Sequence, residues 1–174
     1  AWRGYENSER DYYSNSIAIE VKASGSRNRV HKISSIEQLL LSDEPEEEQL
    51  YVYSIGLSPD TSRSYKLITQ IDNVERVLNP LIHDDFYDYL AQYCGEGYHR
   101  NLRERYNLET GFTISPHAGL IRIDDDVDIL RYSSFASGRL PNDVEGVTYK
   151  ARFNDPDISR TEVEELYSIM LGIE

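Results

Sequence analysis

Three side chains near the start of the sequence, Asp11, Glu20 and Lys22, could act together on a phosphodiester bond. Glu20 and Lys22 belong to residues 17–23, where apolar residues alternate with others at the period of a half-buried β-strand, so both side chains project from one face. A tight turn at residues 14–16 would fold Asp11 back beside Glu20. Two carboxylates can bind a hard divalent cation, and a neighbouring ammonium can stabilise charge on a transferring phosphate.

The residues around this triplet decide between that chemistry and an ordinary solvated strand face, which is the usual setting of a Glu-x-Lys triplet. The pattern Asp11…Glu20-Val21-Lys22 resembles the PD-(D/E)XK nuclease superfamily. The sequence looks like a bacterial branch usually encoded beside restriction–modification and phage-defence genes, and the detailed match covers about residues 1–40. The shared features are Trp2-Arg3, Asp11-Tyr12, the Ile-Glu-Val-Lys strand at 19–22, a basic Ser-rich segment and Ile-Ser-Ser-x-x-Gln-Leu at 33–39.

The resemblance implies that Asp11, Glu20 and Lys22 are catalytic. It also implies that Asp11 and Glu20 bind Mg²⁺ or Mn²⁺, with the backbone carbonyl of Val21 as a third ligand. The superfamily usually carries a further acidic residue on a helix before the hairpin. Because this sequence begins almost at the motif, we expect that helix to be absent or to lie upstream of Ala1.

Basic residues after the active strand are the candidates for contacting DNA. Arg27, Arg29 and His31 alternate across a Gly-containing bend into a strand at residues 30–33, and beside a metal site they would contact phosphates. The alternative is a solvated strand edge, on which charges discourage aggregation. Gln38 is a further candidate, because several branches of the superfamily carry a Gln on the helix after the active strand. The alternative for Gln38 is an exposed helix residue.

Composition limits the class of protein. The 174 residues, 39% hydrophobic and 28% charged, suit one globular domain spanning 1–174. No apolar run approaches the roughly 20 residues of a membrane span and no signal peptide is visible, so we expect a cytoplasmic protein. The single cysteine, Cys94, excludes an internal disulfide. The net charge is −13, yet the first 35 residues carry six basic against four acidic side chains, so the motif lies in a mildly basic part of an acidic chain.

The hydrophobic pattern predicts an α/β fold, and the resemblance implies a restriction-endonuclease-like mixed sheet flanked by helices, with a β-rich C-terminal extension. Residues 1–57 would form the motif-bearing core, and residues 58–174 would add helices and the extension within the same domain. Ser34 and Glu37 predict a capping box, and the acidic runs at 43–48 and 124–128 predict solvated loops. The predicted strands are 17–23, 30–33, 50–57, 111–115, 119–123, 129–132 and 146–153, and the predicted helices are 34–41, 65–78, 84–93 and 160–171.

Three classes of function are compatible with these features. The first is a metal-dependent DNA endonuclease, the cleaving component of a restriction or phage-defence system that could include other subunits. The second is a non-catalytic binding or assembly module that keeps the nuclease fold, which the missing upstream acid and the acidic bulk favour. The third is an acidic DNA mimic, which the net charge suggests and the basic residues beside the carboxylates oppose.

Overall fold

The structure, a computed structural model of the chain, describes residues 10–25, 28–43, 46–60, 65–94, 111–114, 118–153 and 160–171. The predictions made for Trp2, Arg3 and Arg27 concern residues outside these ranges. The chain groups into two compact units, one comprising Ala1–Gly56 with Ser115–Glu174 and the other Leu57–Ile114.

The described residues form an α/β fold of eight strands and three helices, in which five strands precede the first helix. The strands are β1 (Tyr12–Ser14), β2 (Ile17–Ser24), β3 (Val30–Ile33), β4 (Gln49–Pro59), β5 (Tyr65–Lys66), β6 (Gly111–Ile114), β7 (Gly119–Arg122) and β8 (Tyr149–Arg152). The helices are α1 (Leu67–Val77), α2 (His83–Cys94) and α3 (Arg160–Leu171), and 3₁₀ turns occupy Glu37–Leu39, Pro80–Ile82 and Tyr132–Ser134. Most of the predicted elements are confirmed, with shifts of a few residues at their ends.

A two-residue turn joins β1 to β2 and folds the start of the described chain onto the central strand. Asn15 and Ser16 have φ angles of 51° and 62°. Positive φ at both central residues is the mark of a type I′ turn, whose twist matches that of the flanking strands. The predicted turn is therefore confirmed. It sets an antiparallel register in which Tyr12 pairs with Ile19.

The sheet of the first unit is mixed, as predicted. β2 pairs antiparallel with β1 and parallel with β4 along its whole length. β4 then pairs antiparallel with β7. A parallel neighbour needs a long crossover connection, and here residues 25–48 supply it. β2 is consequently an inner strand with a hydrogen-bonded partner on each side.

Both faces of β2 are buried from Ile17 to Glu20, whereas the sequence predicted a half-buried strand. On one face Ala18 packs in a cluster with Val52, Ile33 and Phe153. On the other face Ile17 and Ile19 pack with Tyr51, Leu120 and the α3 residue Leu166. The period-two pattern identified the strand correctly. It could not show that Ala18 and Glu20 face a second apolar layer.

That second layer comes from a separate two-stranded sheet formed by β3 and β8. Its antiparallel register pairs Val30 with Arg152 and Ile33 with Tyr149. Ile33, Ala151 and Phe153 are buried against the Ala18 side of β2. Ala151 of β8 and Phe153, which follows β8, therefore help to cover the face from which Glu20 projects.

Two predicted elements differ in the structure. The helix predicted at 34–41 is only the 3₁₀ turn Glu37–Leu39, which lacks a side-chain cap. The backbone N–H of Ser34 donates to the side chain of Gln38 instead. Residues 129–132 do not form a strand. Ile129 is buried in the core, so its apolar character reflects burial without strand pairing.

The acidic runs also divide into one correct and one wrong prediction. Residues 124–128 form an exposed turn in which the N–H of Asp126 donates to Asp124, as expected of a solvated loop. Residues 43–48 were predicted to be solvated as a whole. In the structure Glu47 is buried.

The second unit contains the end of β4 with β6, β5 and two helices. Leu57–Pro59 pairs antiparallel with β6, and β6 pairs with β5. α1 places Ile71 inward and α2 places Tyr87 inward. The Tyr87 hydroxyl donates to the Glu75 carboxylate over 2.9 Å, which links the two helices.

Candidate functional site

The β1–β2 hairpin brings Asp11 and Glu20 to the same position along the sheet. Extending the register from the Tyr12–Ile19 pair by one residue places Asp11 opposite Glu20. Opposite residues of an antiparallel pair project to one face. Asp11 Oδ2 accepts a 2.7 Å hydrogen bond from the backbone N–H of Val21, so this carboxylate is tied to β2.

Glu20 and Lys22 form an ion pair along β2. Lys22 Nζ lies 2.6 Å from Glu20 Oε1. The Glu20 residue is only 5% exposed, so its carboxylate lies where the sheet meets the apolar core. A contact between two charged groups that are both largely withdrawn from solvent is stronger and more directional than a surface ion pair.

Gln38 holds the other side of the Lys22 ammonium. Its Oε1 accepts a 3.2 Å hydrogen bond from Lys22 Nζ and a 2.9 Å hydrogen bond from the N–H of Ser34. The backbone of Ser34 thereby orients the amide oxygen toward Lys22. The sequence predicted Gln38 as a DNA contact, and the structure places its side chain against the predicted catalytic lysine.

The electrostatics of Glu20 follow from this position. Burial raises the pKa of Glu20 above its ordinary value of 4.5, while the hydrogen bond and positive charge of Lys22 lower it. The negative charge of Asp11 raises the pKa of Glu20 further, and the positive charge of Arg10 lowers it. The two carboxylates are therefore close enough to repel each other.

That repulsion is what a cation between the carboxylates would relieve. Asp11 and Glu20 offer oxygen donors of the kind that Mg²⁺ and Mn²⁺ prefer. The described residues gather no group of three or more His, Cys, Asp or Glu side chains suited to a metal. Mg²⁺ commonly takes one or two carboxylates and completes its shell with water and substrate oxygens, so the donor set fits such an ion.

Arg29 was predicted to contact phosphate, with a solvated strand edge as the alternative, and both interpretations need an exposed side chain. Arg29 is 1% exposed, and its Nε and Nη2 both donate to the backbone carbonyl of Phe153, with the Nε bond at 2.9 Å. A guanidinium enclosed in this way joins the start of β3 to the end of β8. In this structure it cannot contact a phosphate in solution.

His31 is likewise buried. Its Nε2 lies 2.8 Å from Ser54 Oγ, on the β4 residue that pairs with Lys22. Burial is the main reason that the pKa of His31 falls below 6.5, and the positive charges of Arg29 and Lys22 act in the same direction. The lowered pKa favours the neutral imidazole.

Sequence reasoning missed an ion pair next to the site. Arg10 Nε lies 2.8 Å from Glu47 Oε1, and Arg10 Nη2 lies 2.9 Å from Glu47 Oε2. Both residues are buried. Glu47 belongs to an acidic run and lies 37 positions from Arg10, so no local pattern could have joined them. The adjacency of Arg10 to Asp11 was the only available signal.

These features define a class of protein. A mixed sheet flanked by helices, with two carboxylates and a lysine on its central hairpin, is consistent with a restriction-endonuclease-like fold. A family model described as "Putative PD-(D/E)XK family member" (DUF4420) matches residues 1–153, and the chain belongs to this family. Neither a search of curated proteins nor a search of solved structures finds a match. No helix in the described ranges is long and apolar enough to cross a bilayer.

Proposed function

We propose that the protein is a metal-dependent DNA endonuclease that hydrolyses phosphodiester bonds as the cleavage component of a cytoplasmic restriction or phage-defence system. The observation that carries the proposal is the continuous chain of contacts from Glu20 through Lys22 to Gln38, beside Asp11. Membership of a PD-(D/E)XK family supports the same chemistry. The restriction or defence setting, with further subunits, is inferred from the sequence resemblance alone.

In this proposal Asp11, Glu20 and the carbonyl of Val21 hold Mg²⁺ or Mn²⁺. A bound divalent cation supplies polarisation of a phosphoryl oxygen and activation of water. Asp11 is already restrained by the N–H of Val21, and Glu20 is restrained by Lys22. Preorganised ligands lose little conformational freedom when the ion and the DNA bind.

Lys22 is the residue that we assign to the transition state. Its ammonium is fixed between Glu20 and Gln38 and forms an ion pair with the Glu20 carboxylate. Negative charge on the phosphoryl oxygens and the leaving group grows during hydrolysis. A fixed cation at that position therefore stabilises the transition state more than the bound substrate.

The test is cleavage of plasmid DNA by the full-length protein with Mg²⁺ or Mn²⁺, for wild type and Lys22→Ala. Removal of one preorganised charge typically lowers the rate about 10²–10³-fold. We expect that loss in Lys22→Ala with DNA affinity largely retained. The control is Lys150→Ala, which removes an exposed lysine from β8 and should leave the rate unchanged. Equal rates for wild type and Lys22→Ala would remove Lys22 from catalysis.

A second candidate is a non-catalytic module that keeps the fold. The net charge of −13 favours it, because an acidic surface repels DNA and suits a basic protein partner. An acidic DNA mimic is the extreme form of this candidate. Wild-type protein that cleaves no DNA with either metal, yet is retained by a DNA-binding partner, would favour these functions over the nuclease.

A further inference from the structure

Arg10 has more polar contacts than any side chain of the site beside it. It is 3% exposed, and its guanidinium is bidentate with Glu47. Its Nη1 donates to the backbone carbonyl of Gln38 over 3.1 Å, and its Nη2 donates to the carbonyl of Leu40. Glu47 Oε2 also accepts from the N–H of Ser42 over 2.9 Å. One buried ion pair therefore fixes the backbone of the segment 38–42.

This segment carries one of the two groups that hold the Lys22 ammonium. The Gln38 side chain binds Lys22 Nζ, while the Gln38 backbone is held by Arg10. Arg10 also directly precedes Asp11, whose carboxylate is tied to the N–H of Val21. Arg10 is thus hydrogen-bonded to the segment that carries Gln38 and is covalently joined to Asp11. No regular helix fixes this segment, because only three residues form a 3₁₀ turn there.

We propose that the Arg10–Glu47 pair is a positioning device that holds Gln38, and through it the Lys22 ammonium, in register with Asp11 and Glu20. This inference rests on the proposed nuclease function for its catalytic consequence, but its structural content does not depend on cleavage. Arg10 and Glu47 are positioning residues, since neither needs to contact DNA or metal.

Energetics separate positioning from simple stabilisation. Buried ion pairs contribute little net stability, because desolvation offsets their attraction, and well-packed apolar replacements of both partners are often neutral or stabilising. The double variant Arg10→Met/Glu47→Leu should therefore still fold, with a Tm lowered mainly by the lost hydrogen bonds to the carbonyls of Gln38 and Leu40 and from the N–H of Ser42. It leaves the carbonyls of Gln38 and Leu40 without their guanidinium donor, so the segment 38–42 should lose its fixed position.

The first readout is independent of DNA cleavage. In metal-free protein, ¹⁵N NMR of the Lys22 ammonium, assigned by its loss in Lys22→Met, should show protons protected from exchange by Glu20 and Gln38. We expect this protection to fall about tenfold or more in Arg10→Met/Glu47→Leu. The matched control is Arg131→Met, which also removes a guanidinium that donates to two backbone carbonyls, those of Val127 and Asp124, and should leave the Lys22 signal unchanged.

The second readout is steady-state cleavage. Loss of a group that orients a catalytic residue typically costs about 10–100-fold in activity, and we expect this loss in kcat with little change in KM. If the double variant does not fold, Glu47→Gln replaces it, since this variant keeps the side-chain size and one acceptor for Arg10. Both readouts should then change in the same direction by a smaller factor.

The outcomes distinguish this inference from the proposed function. Wild-type protein that cleaves no DNA removes the nuclease function, while a loss of Lys22 protection in the variants still supports the positioning device. Folded variants with full Lys22 protection and wild-type kcat would overturn the positioning device and leave the nuclease intact. A Lys22 ammonium without protection in wild type would overturn it as well.

Discussion

Glu20 is the residue at which folding and proposed function conflict. Its carboxylate lies on the face of the sheet where Ala18 of β2 and Val52 of β4 join the core, and Asp11 adds a second negative charge nearby. Lys22 offsets this cost only in part, because the net effect still raises the pKa of Glu20. Groups placed against their own electrostatic preference are common at functional sites.

This conflict predicts a pH-dependent gain of stability in Glu20→Gln. The pKa of Glu20 is higher in the folded protein than in the unfolded chain. As the pH rises above about 4.5, the unfolded chain releases this proton before the folded protein does, so the stability of the wild-type protein falls. Gln carries no charge and can still accept from Lys22. We expect the Tm of Glu20→Gln to exceed that of wild type increasingly as pH rises from 4.5 toward neutrality, measured by circular dichroism in a metal-free buffer.

Glu37→Gln is the matched control with the opposite sign. The hydroxyl of Tyr132 donates to Glu37 and holds the pKa of Glu37 below 4.5, so its carboxylate stabilises the fold above that pH and loses this effect as pH falls. The Tm deficit of Glu37→Gln should therefore shrink in acid. A Tm difference for Glu20→Gln that is independent of pH would contradict the assigned electrostatics of Glu20.

At the scale of elements, the β1–β2 turn determines where Asp11 lies. Ser16 adopts a φ of 62°, which costs an L-residue roughly 1–2 kcal/mol. Glycine removes that cost, while its greater freedom in the unfolded chain returns about 0.4–1 kcal/mol of it. We expect Ser16→Gly to raise the free energy of unfolding by about 0.5–1 kcal/mol in urea denaturation.

The control for this turn is Ser14→Gly in β1. Ser14 has ordinary strand geometry, so glycine there should lower the free energy of unfolding by roughly 0.5–1 kcal/mol. Asn15 is left unchanged because its Nδ2 donates to the carbonyl of Ile169 over 2.6 Å. Equal effects of glycine at positions 14 and 16 would show that the left-handed conformation of Ser16 carries no strain.

Sequence patterns predicted the elements that local rules determine. The alternation in β2, the turn before it and the helix predicted at 160–171 each depend on neighbouring residues, and all three are confirmed. The same locality brought Asp11, Glu20 and Lys22 to one hairpin. The short 3₁₀ turn at Glu37–Leu39 was mistaken for a helix. The predicted capping box needs the N–H of Ser34 to donate to the Glu37 carboxylate, and in the structure this N–H donates to the side chain of Gln38.

Contacts between distant residues account for what the sequence could not predict. Arg29 and His31 were predicted to be exposed phosphate contacts. No nearby residue shows that the segment around Phe153, 124 positions beyond Arg29, covers them. The Arg10–Glu47 pair joins residues 37 positions apart. Period-two alternation cannot tell which face a second layer will bury.

At the scale of the whole molecule, charge governs how DNA could approach. The chain has a net charge of −13, and the basic residues of its first 35 positions were the expected attraction for phosphates. The structure withdraws two of them, since Arg10 and Arg29 are buried on internal partners. Lys22 is paired with Glu20. The basic surface available to DNA is therefore smaller than the sequence indicated.

This charge distribution predicts a shallow dependence of DNA binding on salt. Each phosphate neutralised by a basic side chain contributes about −0.9 to the slope of log K against log salt concentration. Among the described residues of the first 35 positions, Lys32 is the one exposed basic side chain, so we expect a slope no steeper than about −2, which corresponds to about two phosphate contacts. The measurement is fluorescence anisotropy of a labelled duplex with Lys22→Ala and Ca²⁺, across salt concentrations. A slope near that of proteins with about 6–10 phosphate contacts would contradict this account and require a basic DNA-binding surface elsewhere in the chain.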